Sequence, residues 1–344
     1  MTKRIPLINL GCYQPGRSVM KHREIRLKPS SFKGFYIGRI IAPETGFFNA
    51  TTTLDLFHLP PDGITVPYRQ DEILLHVLSG SGYSIIDGER YDWEYGDTIH
   101  IKPGYWHQHW NTSKEAANML AARTTPLLQA VKSYGGHTEV IHPGSQYTDV
   151  ADWIPDHPFG LGKQELIVEQ DKEWPGRPWA RWLAQRVEER ERRRKEARTI
   201  MKGKDVRWEK QSTHGGEVNA QLADVSLGFD TRTVDFGIQA IPPNGCNESH
   251  YHAEAIVYIL AGKGYVLVNE ERFDLEKGDC VFVHCGDLHQ FWSTSALDET
   301  PFTQLRILTN IEVATNLFPF VWIDEGDETG VPDFDPNYIP RLPW

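Results

Sequence analysis

Three histidines carry the most chemical meaning in this chain. His250 and His252 flank Tyr251, and His289 follows 37 residues after the second of them. A His-x-His pair on an extended strand puts both imidazoles on one face, because successive side chains alternate. The third imidazole comes alongside if Gly278-Asp279 opens an antiparallel strand and a turn through Gly286 places His289. Three neutral imidazoles on one face make a site for a first-row metal, with coordination positions left open for substrate or oxygen. The donor set does not select the metal: Fe, Mn, Ni, Co and Zn all accept imidazole nitrogen.

The elements that must position these residues occur twice. At a constant offset of 182, Pro60-Pro61-Asp62-Gly63 matches Pro242-Pro243-Asn244-Gly245, Glu72 matches Glu254, and Gly80, Gly82 and Tyr83 match Gly262, Gly264 and Tyr265. In the same register Glu89-Arg90 matches Glu271-Arg272, Gly96-Asp97 matches Gly278-Asp279, and His107-Gln108 matches His289-Gln290. An ungapped register over this length marks a duplication. In the first copy the three ligand positions read Tyr68, Gln70 and His107. Tyrosine and glutamine are poor ligands, so the metal is expected in the second half and a scaffold in the first. His58, His76, His100 and His109 offer imidazoles for a different first-half site; the simpler reading is packed, hydrogen-bonded strand histidines.

Both copies read as β-rich. Short apolar runs such as 51–58, 73–78 and 83–86, and 233–241, 256–260 and 265–268, are separated by glycine and proline turns, as in sandwiches and barrels. The expected division is an N-terminal, metal-free barrel over 1–160, a linker with a charged helix over 161–215 and a metal-binding barrel over 216–344. In the linker, Trp179, Trp182, Leu183 and Val187 recur at helical spacing before a run of alternating charges from Glu188 to Glu196. That run reads as a solvated helix face, and the tail after Asp324 as an aromatic-anchored strap.

The formal charge of −11 argues against nucleic acid as a partner, since phosphate contacts need concentrated positive charge. No apolar run approaches the roughly twenty residues of a membrane span, and the start of the chain lacks a signal-peptide pattern. Cys12, Cys246, Cys280 and Cys285 show neither zinc nor disulfide spacing, so a cytoplasmic setting is expected.

Gly245, His250-x-His252 and Gly262, followed by Gly278 through Gly286 to His289, resemble the two sequence motifs of the cupin superfamily. The resemblance covers both halves and implies an all-β bicupin: two tandem jelly-roll β-barrels joined by a helical linker segment. Two departures stand out. Ala255 occupies the usual position of a glutamate ligand, and His284 that of a proline. Three-His cupins lacking the glutamate resemble gentisate and salicylate 1,2-dioxygenases, ring-cleaving enzymes that use Fe(II), O2 and a small aromatic substrate. Those enzymes carry their iron in the first barrel, whereas here the first barrel is the degenerate one. Glu254 stands one residue from the missing position and is a possible fourth ligand; its match at Glu72, where the histidine pair is gone, argues for a shared structural role.

Gln239, Asn247, Tyr258, His284, Trp292 and Arg306 are the candidate pocket residues. Arg306 offers a guanidinium to a substrate carboxylate, and His284 a proton shuttle or a second hydrogen-bond donor near the metal. The alternatives are a non-enzymatic small-molecule-binding bicupin, or a metal-dependent isomerase, lyase or decarboxylase acting on a small acid or sugar. A homo-oligomer is expected by analogy with bicupins that carry an added helix.

Overall fold

A computed structural model describes residues 16–30, 34–130, 139–140, 185–186, 188–189, 192–209, 217–296, 300–309, 322–323 and 339–344. Each sequence copy folds into two facing antiparallel sheets. In the first copy one sheet runs in the order 200–201, 98–101, 73–79, 117–123, 53–59, 36–41 and 27–29, and the other 139–140, 68–69, 107–111, 81–86 and 89–94. The second copy repeats this plan, with sheets ordered 19–20, 280–283, 255–261, 302–309, 234–241, 218–223 and 271–276, 263–268, 289–293, 250–251, 322–323. The repeat therefore preserves pairing as well as sequence: Tyr68 faces His107 in the first barrel as His250 faces His289 in the second.

Two short strands cross between the barrels. Strand Val19–Met20 pairs with Cys280–Val283 of the second barrel, and strand Ile200–Met201 pairs with Thr98–Ile101 of the first. Each intruding strand is held by the aspartate of the repeated Gly-Asp pair. Asp279 accepts from the His22 backbone at 2.9 Å and Lys21 Nζ at 2.8 Å, while Asp97 accepts from the Gly203 backbone at 2.7 Å and Lys202 Nζ at 2.5 Å. A sequence signal for this exchange exists: Met20-Lys21 recurs as Met201-Lys202, one residue out of the main register.

Three apolar clusters organise the core. One fills the first barrel around Phe35, Leu75, Val77 and Met119, and one fills the second around Val257, Ile259, Val266 and Phe302. The largest lies between the barrels and draws on both, with Ile40, Phe47, Leu54 and Leu74 meeting Phe236, Ile256, Phe282 and Leu305. The inner sheets are thus buried on both faces, one towards their own barrel and one towards the other.

Two carboxylates clamp this junction reciprocally. Glu72 of the first barrel accepts from the Thr233 backbone at 2.8 Å, the Arg232 backbone at 2.9 Å and Thr233 Oγ1 at 2.6 Å. Its counterpart Glu254 accepts from the Ala50 backbone at 2.7 Å, the Thr51 backbone at 2.6 Å and the Thr51 hydroxyl. The equivalence of Glu72 and Glu254 in the sequence is explained by this shared task.

Among the described part of the linker, residues 192–196 are helical and Arg192 pairs with Glu196 at 2.9 Å along an exposed face, as the alternating charges imply. Its end docks on the first barrel: Arg194 is buried, stacks on Tyr105 and donates to the Pro103 carbonyl at 2.6 Å. Trp179, Trp182, Leu183 and Val187 lie outside the described residues, as does most of the tail after Asp324. Among the described residues no helix is long and apolar enough to cross a membrane.

Candidate metal centre

His250, His252 and His289 converge in the second barrel, with one nitrogen of each lying within 4.8 Å of the others. Their ring centroids are 4.4 Å apart for His250 and His289, 4.7 Å for His252 and His289 and 5.2 Å for His250 and His252. The antiparallel pairing of His250 with His289 brings the first and third rings side by side. Each ring is tied back through Nδ1 to a main-chain carbonyl: His250 to Glu248 at 2.8 Å, His252 to Ala253 at 2.5 Å and His289 to Asp287 at 2.9 Å. A carbonyl only accepts, so Nδ1 carries the proton in all three and Nε2 presents a lone pair.

Burial reinforces this protonation state. It lowers the pKa of all three rings: His252 falls to about 4, and His289 drops well below 6.5 with its two neighbours adding repulsion. Three neutral imidazoles with fixed tautomers are the form in which histidine binds a divalent ion. The donor set therefore fits a first-row metal.

Glu254 is not brought into this cluster. Both its oxygens are engaged with the loop at Ala50 and Thr51 across the barrel junction, as described above. The position before the strand at Ala255 thus serves the interface, and Ala255 itself packs inside the barrel core.

Strand alternation sorts the remaining candidates. Gln239 and Arg306 share the face of the inner sheet that looks into the second barrel, because their neighbours Ile238, Leu305 and Ile307 belong to the inter-barrel core. Arg306 lies close enough for its charge to lower the pKa of His250 and His252 further. Gly237 is paired with it, and a Cβ there would stand 3.1 Å from Arg306 Nη2, so the glycine leaves room for the guanidinium. Glu217 supplies the opposing charge; burial raises its pKa while Arg306 pulls it down, and it accepts from Gln239 and from Asn219 Nδ2 at 3.1 Å.

The other four point away. Tyr258 belongs to the inter-barrel core, one residue out of phase with the interior. His284 meets Phe282 of that same junction edge to face, centroids 4.6 Å apart, with Gly16 beside it. Asn247 is a strut: its Oδ1 accepts from the Phe291 backbone at 2.6 Å. Trp292 stacks on Tyr265 at 6.0 Å on the outer face, since His289 and Phe291 take the inner one. The sequence reading missed Gln304, which stands two residues before Arg306 and so shares its face. It is fully buried, and neither amide atom has a partner among the described residues.

Profiles of the cupin domain family match residues 55–123 and 237–298, one segment in each barrel. The chain carries two cupin domains. Among solved structures, salicylate 1,2-dioxygenase from Pseudoaminobacter salicylatoxidans, with gentisate adducts, superposes with a TM-score of 0.62 at 15% identity, covering 92% of this chain and 88% of that one. A second structure of that dioxygenase gives 0.59 at 17% identity over 88% and 81% of the two chains. Protein Ylba from E. coli gives 0.52 at 13% identity, over 85% of this chain and 89% of that one. At such identities these likenesses show the fold. A 48-residue stretch is 38% identical to an uncharacterized protein of Methanocaldococcus jannaschii, covering 13% of this chain and 38% of that protein.

The two barrels differ inside as well as at the positions of the three histidines. By strand pairing, Gln239 and Gln304 of the second barrel correspond to Phe57 and Met119 of the first. The first interior is accordingly packed: Phe57 stacks on Phe35 with centroids 4.3 Å apart, and Tyr68 lies 4.1 Å from His107. His107 and His109 are buried and driven towards the neutral form, His107 to a pKa of about 4. His58 bonds Asn118, His76 bonds Thr98 and His100 bonds Glu72, so these three are dispersed, whereas His109 lies beside His107 with ring centroids 5.4 Å apart and bonds Ser84.

Proposed function

We propose that this bicupin is an Fe(II)-dependent dioxygenase that cleaves a hydroxylated aromatic ring with O2, using His250, His252 and His289 as metal ligands. The observation that carries the reading is a three-imidazole cluster that no carboxylate joins among the described residues, set in a barrel where the buried Gln304 amide has no partner among them. Three protein ligands leave half of an octahedral shell for substrate and oxygen. A ferrous ion bound there would supply the redox chemistry that joins ring and oxygen; both oxygen atoms enter the product, so no external reductant is consumed. The chain's own residues bind and orient. In this reading Arg306, whose charge faces that of Glu217 and whose guanidinium has room beside Gly237, pairs with a ring carboxylate, as in gentisate or salicylate. Gln304 and Gln239 offer hydrogen bonds to ring oxygens, and Val257, Ile259 and Phe302 form apolar walls that exclude water. The salicylate 1,2-dioxygenase whose fold this chain shares forms adducts with gentisate, which supports the substrate class.

Oxygen uptake by the purified, iron-loaded chain tests the proposal with gentisate, salicylate and hydroquinone as substrates. The expected result is uptake with at least one of them and a product heavier by two oxygen atoms. Protein shown to hold stoichiometric iron that consumes no oxygen with any of the three overturns it.

A further inference from the structure

The barrel that has lost its ligands still reaches the one that keeps them. His252 takes its ring orientation from the Ala253 carbonyl, which accepts from Nδ1 at 2.5 Å. That carbonyl belongs to the peptide joining Ala253 to Glu254, and Glu254 is pinned by the Ala50 and Thr51 backbone amides and the Thr51 hydroxyl of the first barrel. The other side of the same turn is fixed within the second barrel, where the Gly286 backbone donates to the His252 carbonyl at 2.9 Å. A continuous path therefore runs from the first-barrel loop through Glu254 and one peptide plane to the ring that presents Nε2.

We infer that the Thr51–Glu254 clamp is a positioning device for the metal ligand His252, so that the first barrel sets the metal affinity of the second. The inference rests on the metal reading above. A group that orients a ligand's outer nitrogen changes metal affinity by about 10- to 100-fold when removed. A clamp with purely structural duty would lower stability and leave the metal untouched. The duplication supplies the control, because Glu72 makes the mirror clamp on Arg232 and Thr233 and stands two residues from Gln70, where the second barrel has His252.

The test uses Co2+ as the probe, with affinity from titration and ligand geometry from its visible absorption. Glu254→Ala and Thr51→Val in the full chain are expected to weaken Co2+ binding, the first by about 10- to 100-fold, and to change the band shape. Glu72→Ala is expected to lower the melting temperature as Glu254→Ala does, with affinity and spectrum of the parent. Parent-like Co2+ affinity and spectrum in Glu254→Ala overturn the inference, as does an equal loss in Glu72→Ala. Should Glu254→Ala not fold, Thr51→Val decides: parent-like binding there overturns it. A parent chain that binds no Co2+ fails earlier and differently, since it removes the metal site itself.

Discussion

Metal-linked stability should follow His252 and ignore Gln70, although the two occupy equivalent places in the repeat. The perturbation is His252→Ala set against Gln70→Ala, each compared with the parent in chelator and in excess Co2+ or Fe2+. The magnitude follows from mass action. A ligand that binds only the folded state at a hundred times its Kd stabilises it by about 2.7 kcal/mol. The barrels share one buried apolar cluster, so they are expected to melt as a single unit. With an unfolding entropy of about 2.1 cal/mol/K per residue, the 344 residues give about 0.7 kcal/mol/K and a rise of about 4 °C in melting temperature. Scanning calorimetry reads it directly. The parent and Gln70→Ala should both show the shift, because the Gln70 side chain accepts from Arg123 Nη1 at 3.1 Å in the barrel that lacks the histidine cluster. His252→Ala should lose it, because two imidazoles remain of the three. A shift that survives in His252→Ala, or vanishes in Gln70→Ala, refutes the assignment of the metal to the second barrel.

Two further outcomes follow from buried charge. Arg306→Leu should weaken binding of carboxylate-bearing aromatics by about tenfold or more while leaving uncharged phenols within a few-fold, since a charge-assisted hydrogen bond contributes roughly 1.5–3 kcal/mol; equal losses for both classes, read by calorimetric titration, contradict the proposed contact. Burial pushes the pKa of His76 down to about 3 from 6.5. As pH falls the unfolded chain takes the proton first, so the stability contribution is complete above about pH 6.5 and shrinks towards pH 3, with roughly 2 kcal/mol lost by pH 5. His76→Leu should therefore narrow the stability difference between pH 7.5 and pH 5 by about that amount in urea titrations; an unchanged difference refutes the argument.

The sequence by itself determined the duplication, the two β-barrels and the half that carries three imidazoles. Those features are local: strand periodicity, turn glycines and a His-x-His spacing hold whatever packs around them. It also exposed the shared task of Glu72 and Glu254, though not what that task was, because the backbone partners lie 160 and 161 residues away for Glu72 and 203 and 204 for Glu254. Tertiary structure alone decided the pocket. On a strand buried on both faces, polarity alternation does not say which face is inward. Tyr258 and His284 therefore looked as plausible as Gln239 and Arg306 until the inter-barrel core claimed the first pair. The same packing sent strand Val19–Met20 to the distant barrel and strand Ile200–Met201 to the first. It also turned a carboxylate beside the histidine cluster into a clamp between domains. Long-range pairing is a property of the assembled surface, and no single segment encodes it.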